Sequence, residues 1–117
     1  MDKFEMSGFF EILDYRLSHR LLLIRSTNIV NETPVNTDII FVEVYFLEVP
    51  TCFENISIEL ANEAEYNYVQ SKHCFPVVQQ YDKVFKIKTN NKEYFIGCWE
   101  YRIETNNLLP LETSITM

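Results

Sequence analysis

From Asn28 back to Ser26 and onward to Ser71 the chain has no Lys and no Arg, a gap of 46 residues between Arg25 and Lys72. The gap holds eight carboxylates: Glu32, Asp38, Glu43, Glu48, Glu54, Glu59, Glu63 and Glu65. It therefore carries −8, while the rest of the chain sums to +1 and the whole to −7. Glycine is almost absent, at two residues, and proline is sparse, at four, which excludes a linker-like or collagenous chain. Three cysteines, Cys52, Cys74 and Cys98, leave at least one unpaired and lack the short spacings of a disulfide scaffold or a zinc knuckle. No apolar run reaches the eighteen or so residues of a membrane span, and residues 1–14 have no cationic segment leading into an apolar one. A Gly-rich phosphate loop, a nucleophile elbow and a metalloprotease helix are all missing. These absences lead to the expectation of a cytoplasmic protein that is not an enzyme and needs no cofactor or metal.

What is present is apolar and aromatic: 47% hydrophobic and 15% aromatic residues in a chain of 117. A chain of this length reads as one domain and buries roughly two thirds of the surface of its unfolded form. The dominant period is two. Residues 8–16 (GFFEILDYR) place Phe9, Glu11, Leu13 and Tyr15 on one face, and residues 19–26 (HRLLLIRS) give a second strand. Residues 27–38 cluster Asn, Thr, Pro and Asp and read as a loop. Residues 39–49 (IIFVEVYFLEV) form the clearest strand, apolar on both faces and ended by Pro50. Ile56, Ile58 and Leu60 alternate with Ser57 and Glu59 in a half-buried strand.

One helix is expected near residues 62–71. Asn62 is a good N-cap, Glu65 stands three residues on as its capping-box partner, and Ala64 and Tyr68 would face inward. Residues 83–104 read as a hairpin turning at Asn90-Asn91-Lys92, with Phe85 and Ile87 inward, Lys86 and Lys88 outward, and Gly97 at a bulge. The tail beyond Asn106 either frays or docks through Leu108, Leu109 and Leu111. The fold class is thus α+β: a mainly antiparallel sheet of five to seven strands, barrel-like or strongly curved, with one short helix.

Candidate chemistry is thin. His73 and Cys74 are adjacent, so on an extended chain they point to opposite faces and do not share a site. Glu43 lies between Phe41 and Tyr45; a covered face would desolvate it and raise its pKa, a sheet margin would leave it in water, and the margin is the expectation. Lys83, Lys86, Lys88 and Lys92 are too few for a phosphate-tracking groove in an acidic chain, so nucleic acid is not an expected partner, nor is a membrane. The acidic window points instead to a basic protein partner. Contact is expected at Glu59, Glu63, Glu65 and Tyr66, around the strand-to-helix junction, while Trp99 is assigned to the core.

Residues 15–26 (YRLSHRLLLIRS) and 38–50 (DIIFVEVYFLEVP) together resemble a class of small uncharacterised bacterial domains. Those have a similar His-Arg-Leu-Leu-Leu-Arg-Ser strand and an Asp-led aromatic strand ending in Pro. In size, charge and β-richness the chain is also similar to the acidic immunity proteins that accompany bacterial toxins. What the resemblance implies is an inhibitor of a partner, a toxin in the concrete case; it carries over no functional residue. Two other functions stay open: a β-barrel holding a small ligand in a pocket of about 300 Å³ or more lined by Phe41, Tyr45 or Trp99, and a homodimer joined through the edge of strand 9–16 or 93–104.

Overall fold

The computed structural model of the chain describes residues 3–72 and 81–116. Among these residues eight strands join one sheet: β1 (Lys3–Arg16), β2 (Leu21–Val30), β3 (Thr33–Val42), β4 (Phe46–Glu48), β5 (Cys52–Leu60), β6 (Lys83–Thr89), β7 (Lys92–Cys98) and β8 (Glu100–Asn106). A 3₁₀ turn (Ser18–Arg20) links β1 to β2, and one helix, α1 (Glu63–Gln70), follows β5. The fold is therefore mostly β. No helix among the described residues is long and apolar enough to cross a membrane.

The strand order is β4-β7-β6-β5-β1-β2-β3-β8, antiparallel in every pairing among the described residues, with two ends, so the sheet is not closed. β3 and β4 lie on one run of chain, β7 and β8 on another, and the two runs lie side by side. At the joint the Tyr45 N–H donates to Gly97 O and the Trp99 N–H to Val42 O, both at 2.9 Å. One face of the sheet carries a core to which β1, β2, β3, β5, β6, β7 and β8 all contribute, including Phe10, Ile24, Phe41, Ile58, Ile87 and Ile96, each 0% exposed. Phe41 and Phe85 both pack against Tyr101, the latter edge-on at 5.1 Å.

The count of eight exceeds the expected five to seven because two long runs are broken. Residues 39–49 are interrupted between Val42 and Phe46, where Glu43 takes φ 56°. The run after Asn91 breaks at Trp99, so β8 leaves β6 and pairs with β3. Residues 27–38 are not a loop: β2 and β3 continue through them as a hairpin with a two-residue turn, Asn31 (φ 51°) and Glu32 (φ 64°). In such a hairpin the closing pair, Val30 and Thr33, exchanges the hydrogen bonds, so Pro34, one step further, points its nitrogen away from β2 and costs the ladder nothing.

Helix α1 starts as the sequence predicts. Asn62 accepts from the Glu65 N–H at 2.8 Å and Glu65 Oε1 accepts from the Asn62 N–H at 2.9 Å. Its inward residue is Val69, fully buried, whereas Ala64 and Tyr68 are exposed. The tail docks, with Leu108 half-buried but Leu109 and Leu111 taking no part. Ile115 fills a second small core with Leu21, Leu23 and Ile40 on the opposite face of the sheet, while Leu109 and Leu111 remain exposed.

Candidate functional site

The acidic window is dispersed by the strand order. β5, which carries Glu59, lies beside β6, which carries Lys86 and Lys88. Outward-facing residues of the two strands meet across the ladder, and Glu59 Oε1 stands 3.1 Å from Lys88 Nζ and 3.9 Å from Lys86 Nζ. Lys86 reaches the helix as well, 3.0 Å from Glu65 Oε2. The Lys88 hydrogen bond holds the Glu59 carboxyl below its usual pKa; for Glu65 the Asn62 N–H does so first and Lys86 adds to it.

Of the expected contact residues, the structure thus brings Glu59 and Glu65 together through a shared lysine, and in doing so neutralises them. Glu63 is exposed, with no ion pair among the described residues, and Tyr66 is half-buried. The rest of the window is scattered. Asp38 is buried against Arg25, Glu43 lies 3.6 Å from His19 Nδ1, Glu48 accepts from the Tyr68 hydroxyl at 3.2 Å, and Glu32 sits in the β2–β3 turn. The lysine run and the acidic window largely cancel across β5, β6 and α1.

One part of the window escapes this. On the outer face of β1 and β5, Phe9 is the cross-strand partner of Glu54, and Glu11 of Cys52. With a side-chain period of two, these four share one face, and Glu11 and Glu54 are diagonal neighbours roughly 7–8 Å apart. All four are exposed, Phe9 at 54%. Neither Glu11 nor Glu54 has an ion pair among the described residues. The nearest cation by register, Arg25 opposite Glu11, is turned to Asp38 and the tail. The face exists because of a bulge: Ser7 and Gly8 (φ 142°) oppose Asn55 (φ 60°), whose side chain accepts from the Gly8 N–H at 3.1 Å. Sequence reasoning placed Phe9 and Glu11 on one face but had no means of setting Glu54 beside them.

The remaining candidates for chemistry separate. Cys98 is buried, and that burial pushes its thiol far up, away from the thiolate a nucleophile needs. Cys52 is exposed on the β1–β5 face; His73 and Cys74 lie outside the described residues. Glu43 is at the β3–β4 break with its side chain 22% exposed, so the strand-margin expectation describes it. Trp99 is not in the core: it is on the surface, against Tyr81 at 5.1 Å, and its Nε1–H donates to Asp82 at 3.0 Å. Phe41, at 0% exposure inside the main core, and Trp99 outside it do not line a common pocket. No protein-family model matches the chain, and neither does any curated protein or solved structure.

Proposed function

We propose that this chain is a non-enzymatic protein-binding module that docks a basic partner against the outer face of β1 and β5. The observation that carries the reading is Phe9, an exposed aromatic ring with Glu54 directly opposite and Glu11 beside it, neither carboxylate in an ion pair among the described residues. An aromatic anchor supplies desolvated contact area, and charges at its rim steer a cationic partner and reject anionic ones. The patch replaces the helix junction as the centre of the docking surface, because two of the four residues expected there are held by lysines. An inhibitor of a basic partner, of the immunity type that the resemblance implies, is the concrete form of this proposal.

The test is made on the partner that co-purifies with the chain. Phe9→Ala is expected to weaken binding by at least about thirtyfold, the effect of an anchor worth about 2 kcal/mol. Glu11→Lys with Glu54→Lys is expected to slow association and flatten its salt dependence. Glu59→Gln with Glu65→Gln should change little. Equal affinity for the wild type and the first two variants would sink the proposal.

A further inference from the structure

We propose that the face of β2 and β3 opposite the main core is a peptide-binding groove, closed in cis by the chain's own tail, residues 107–116, and open to a partner segment of the same chemistry once the tail is displaced. The seated tail shows what the groove recognises. Leu109 to Glu112 form a β-turn, closed by the Glu112 N–H donating to Leu109 O at 2.9 Å, with Pro110 where its fixed φ suits such a turn. The carbonyls of Leu109, Pro110 and Glu112 converge on Arg25 Nη1, at 3.2, 3.0 and 2.7 Å. Just before the turn, Asn36 Nδ2 donates to Leu108 O at 2.9 Å. Beyond it, Ile115 drops onto a floor of Leu21, Leu23 and Ile40, with Leu13 and Val42 packed against it. The ligand class is therefore a peptide with a proline-led turn whose carbonyls converge on a cation, followed three residues later by a branched aliphatic side chain.

Three observations make the tail a removable occupant of a site built without it. First, among the described residues it makes no backbone–backbone hydrogen bond to the sheet. The N–H groups of Leu108, Leu109, Glu112 and Ile115 go to the Asn106 side chain or to the tail's own atoms. A segment outside the ladder can open locally while the sheet stays folded. Second, the side chains of Leu109 and Leu111 are 69% and 81% exposed, so the turn offers the groove its carbonyls and little else. Carbonyls and one aliphatic side chain are features that another chain can reproduce. Third, the groups that hold the tail are fixed from within the sheet. Nε and Nη2 of Arg25 are locked on the two Asp38 oxygens, and Asp38 also accepts from Asn106 Nδ2 at 2.8 Å. Asn36 Oδ1 accepts from the Thr27 hydroxyl at 2.7 Å, and Asn36 Nδ2 donates to Asn106 Oδ1 at 2.8 Å. A buried ion pair is a weak source of stability, but here it aims a third guanidinium nitrogen at the peptide and keeps that aim, so little order is lost on binding.

Fluorescence anisotropy of a labelled peptide of residues 107–116, titrated with the full chain, tests this. A tethered tail competes at an effective concentration on the order of millimolar, so the wild-type chain is expected to take up the free peptide weakly. Full-length Ile115→Asp, its own tail loosened, is expected to bind the peptide at least about tenfold more tightly than the wild type. Ile115→Ala, which sets no charge against Leu21 and Leu23, should shift binding in the same direction, with circular dichroism establishing that each variant is folded. A peptide carrying Leu111→Asp should bind as the unchanged peptide does, whereas one carrying Ile115→Asp or Pro110→Gly should bind more weakly. No uptake by either folded variant, uptake no tighter than by the wild type, or a peptide indifferent to Ile115→Asp overturns the proposal. The readout involves neither Phe9 nor Glu54, so its failure leaves the β1–β5 docking surface untouched.

Discussion

The Arg25 guanidinium is 2% exposed and Asp38 opposite it is 0% exposed. Nε and Nη2 donate to the two Asp38 oxygens at 2.6 and 2.9 Å, and Nη1 lies within 3.2 Å of the carbonyls of Leu109, Pro110 and Glu112. Removing one member of such a pair strands the other in a dry site, at a cost of about 3–5 kcal/mol. Asp38→Ala is expected to lower stability by that amount in urea unfolding. Burial would by itself raise the Asp38 carboxyl, but hydrogen bonds from Arg25 and Asn106, with the Arg25 charge, outweigh it and hold the pKa below its ordinary 3.8. A depressed native pKa stabilises the fold fully above the ordinary value and loses that contribution as pH falls through the native one. Stability should therefore drop below about pH 4, and drop less steeply in Asp38→Asn; an identical acid profile in the two proteins would contradict this role. A Cβ on Gly97 would meet the Tyr45 ring at 2.6 and 2.7 Å, with that ring fixed by its hydroxyl to Lys83 O and Gln70. Gly97→Ala should cost about 1–3 kcal/mol by overpacking, measured the same way. Arg25 was legible only as a flank of an apolar run, since its partner is found only once the β2–β3 register is known.

At the scale of elements, local signals were legible and long-range ones were not. The capping box of α1 is written in Asn62 and Glu65 and forms as read, so Asn62→Ala should cost about 1 kcal/mol. The β6–β7 hairpin turns at Asn90–Asn91, where Asn91 (φ 62°) takes the backbone region that asparagine tolerates. The β2–β3 hairpin was hidden because its turn uses Glu32 at positive φ, a residue that gives no such signal, and because Pro34 reads as a strand breaker until its nitrogen is seen to face away from the ladder. The tail's attachment was also hidden: it is held by its backbone carbonyls and one distant isoleucine, and carbonyls have no sequence signature. A stop after Asn106 would uncover Leu21, Leu23 and Ile40 and leave Arg25 without three acceptors. The loss of stability should exceed the roughly 2 kcal/mol that burial of Ile115 supplies, and an apolar dye should bind the bared face.

At the scale of the whole molecule, charge along the chain was a poor guide to charge in space. The base-free window folds beside Lys86 and Lys88 because β5 and β6 are neighbours, and no count over a sequence window contains that adjacency. The β1–β5 face keeps its charge for the complementary reason, since β1 and β5 bring Glu11 and Glu54 together and the nearby arginine is turned elsewhere. Site-specific photo-cross-linking in cells tests the docking surface most directly, with a photoreactive phenylalanine analogue placed at Phe9 or at Tyr66. The account predicts one basic protein captured from position 9 and nothing comparable from position 66. Capture from position 66 alone, with position 9 silent, would contradict it.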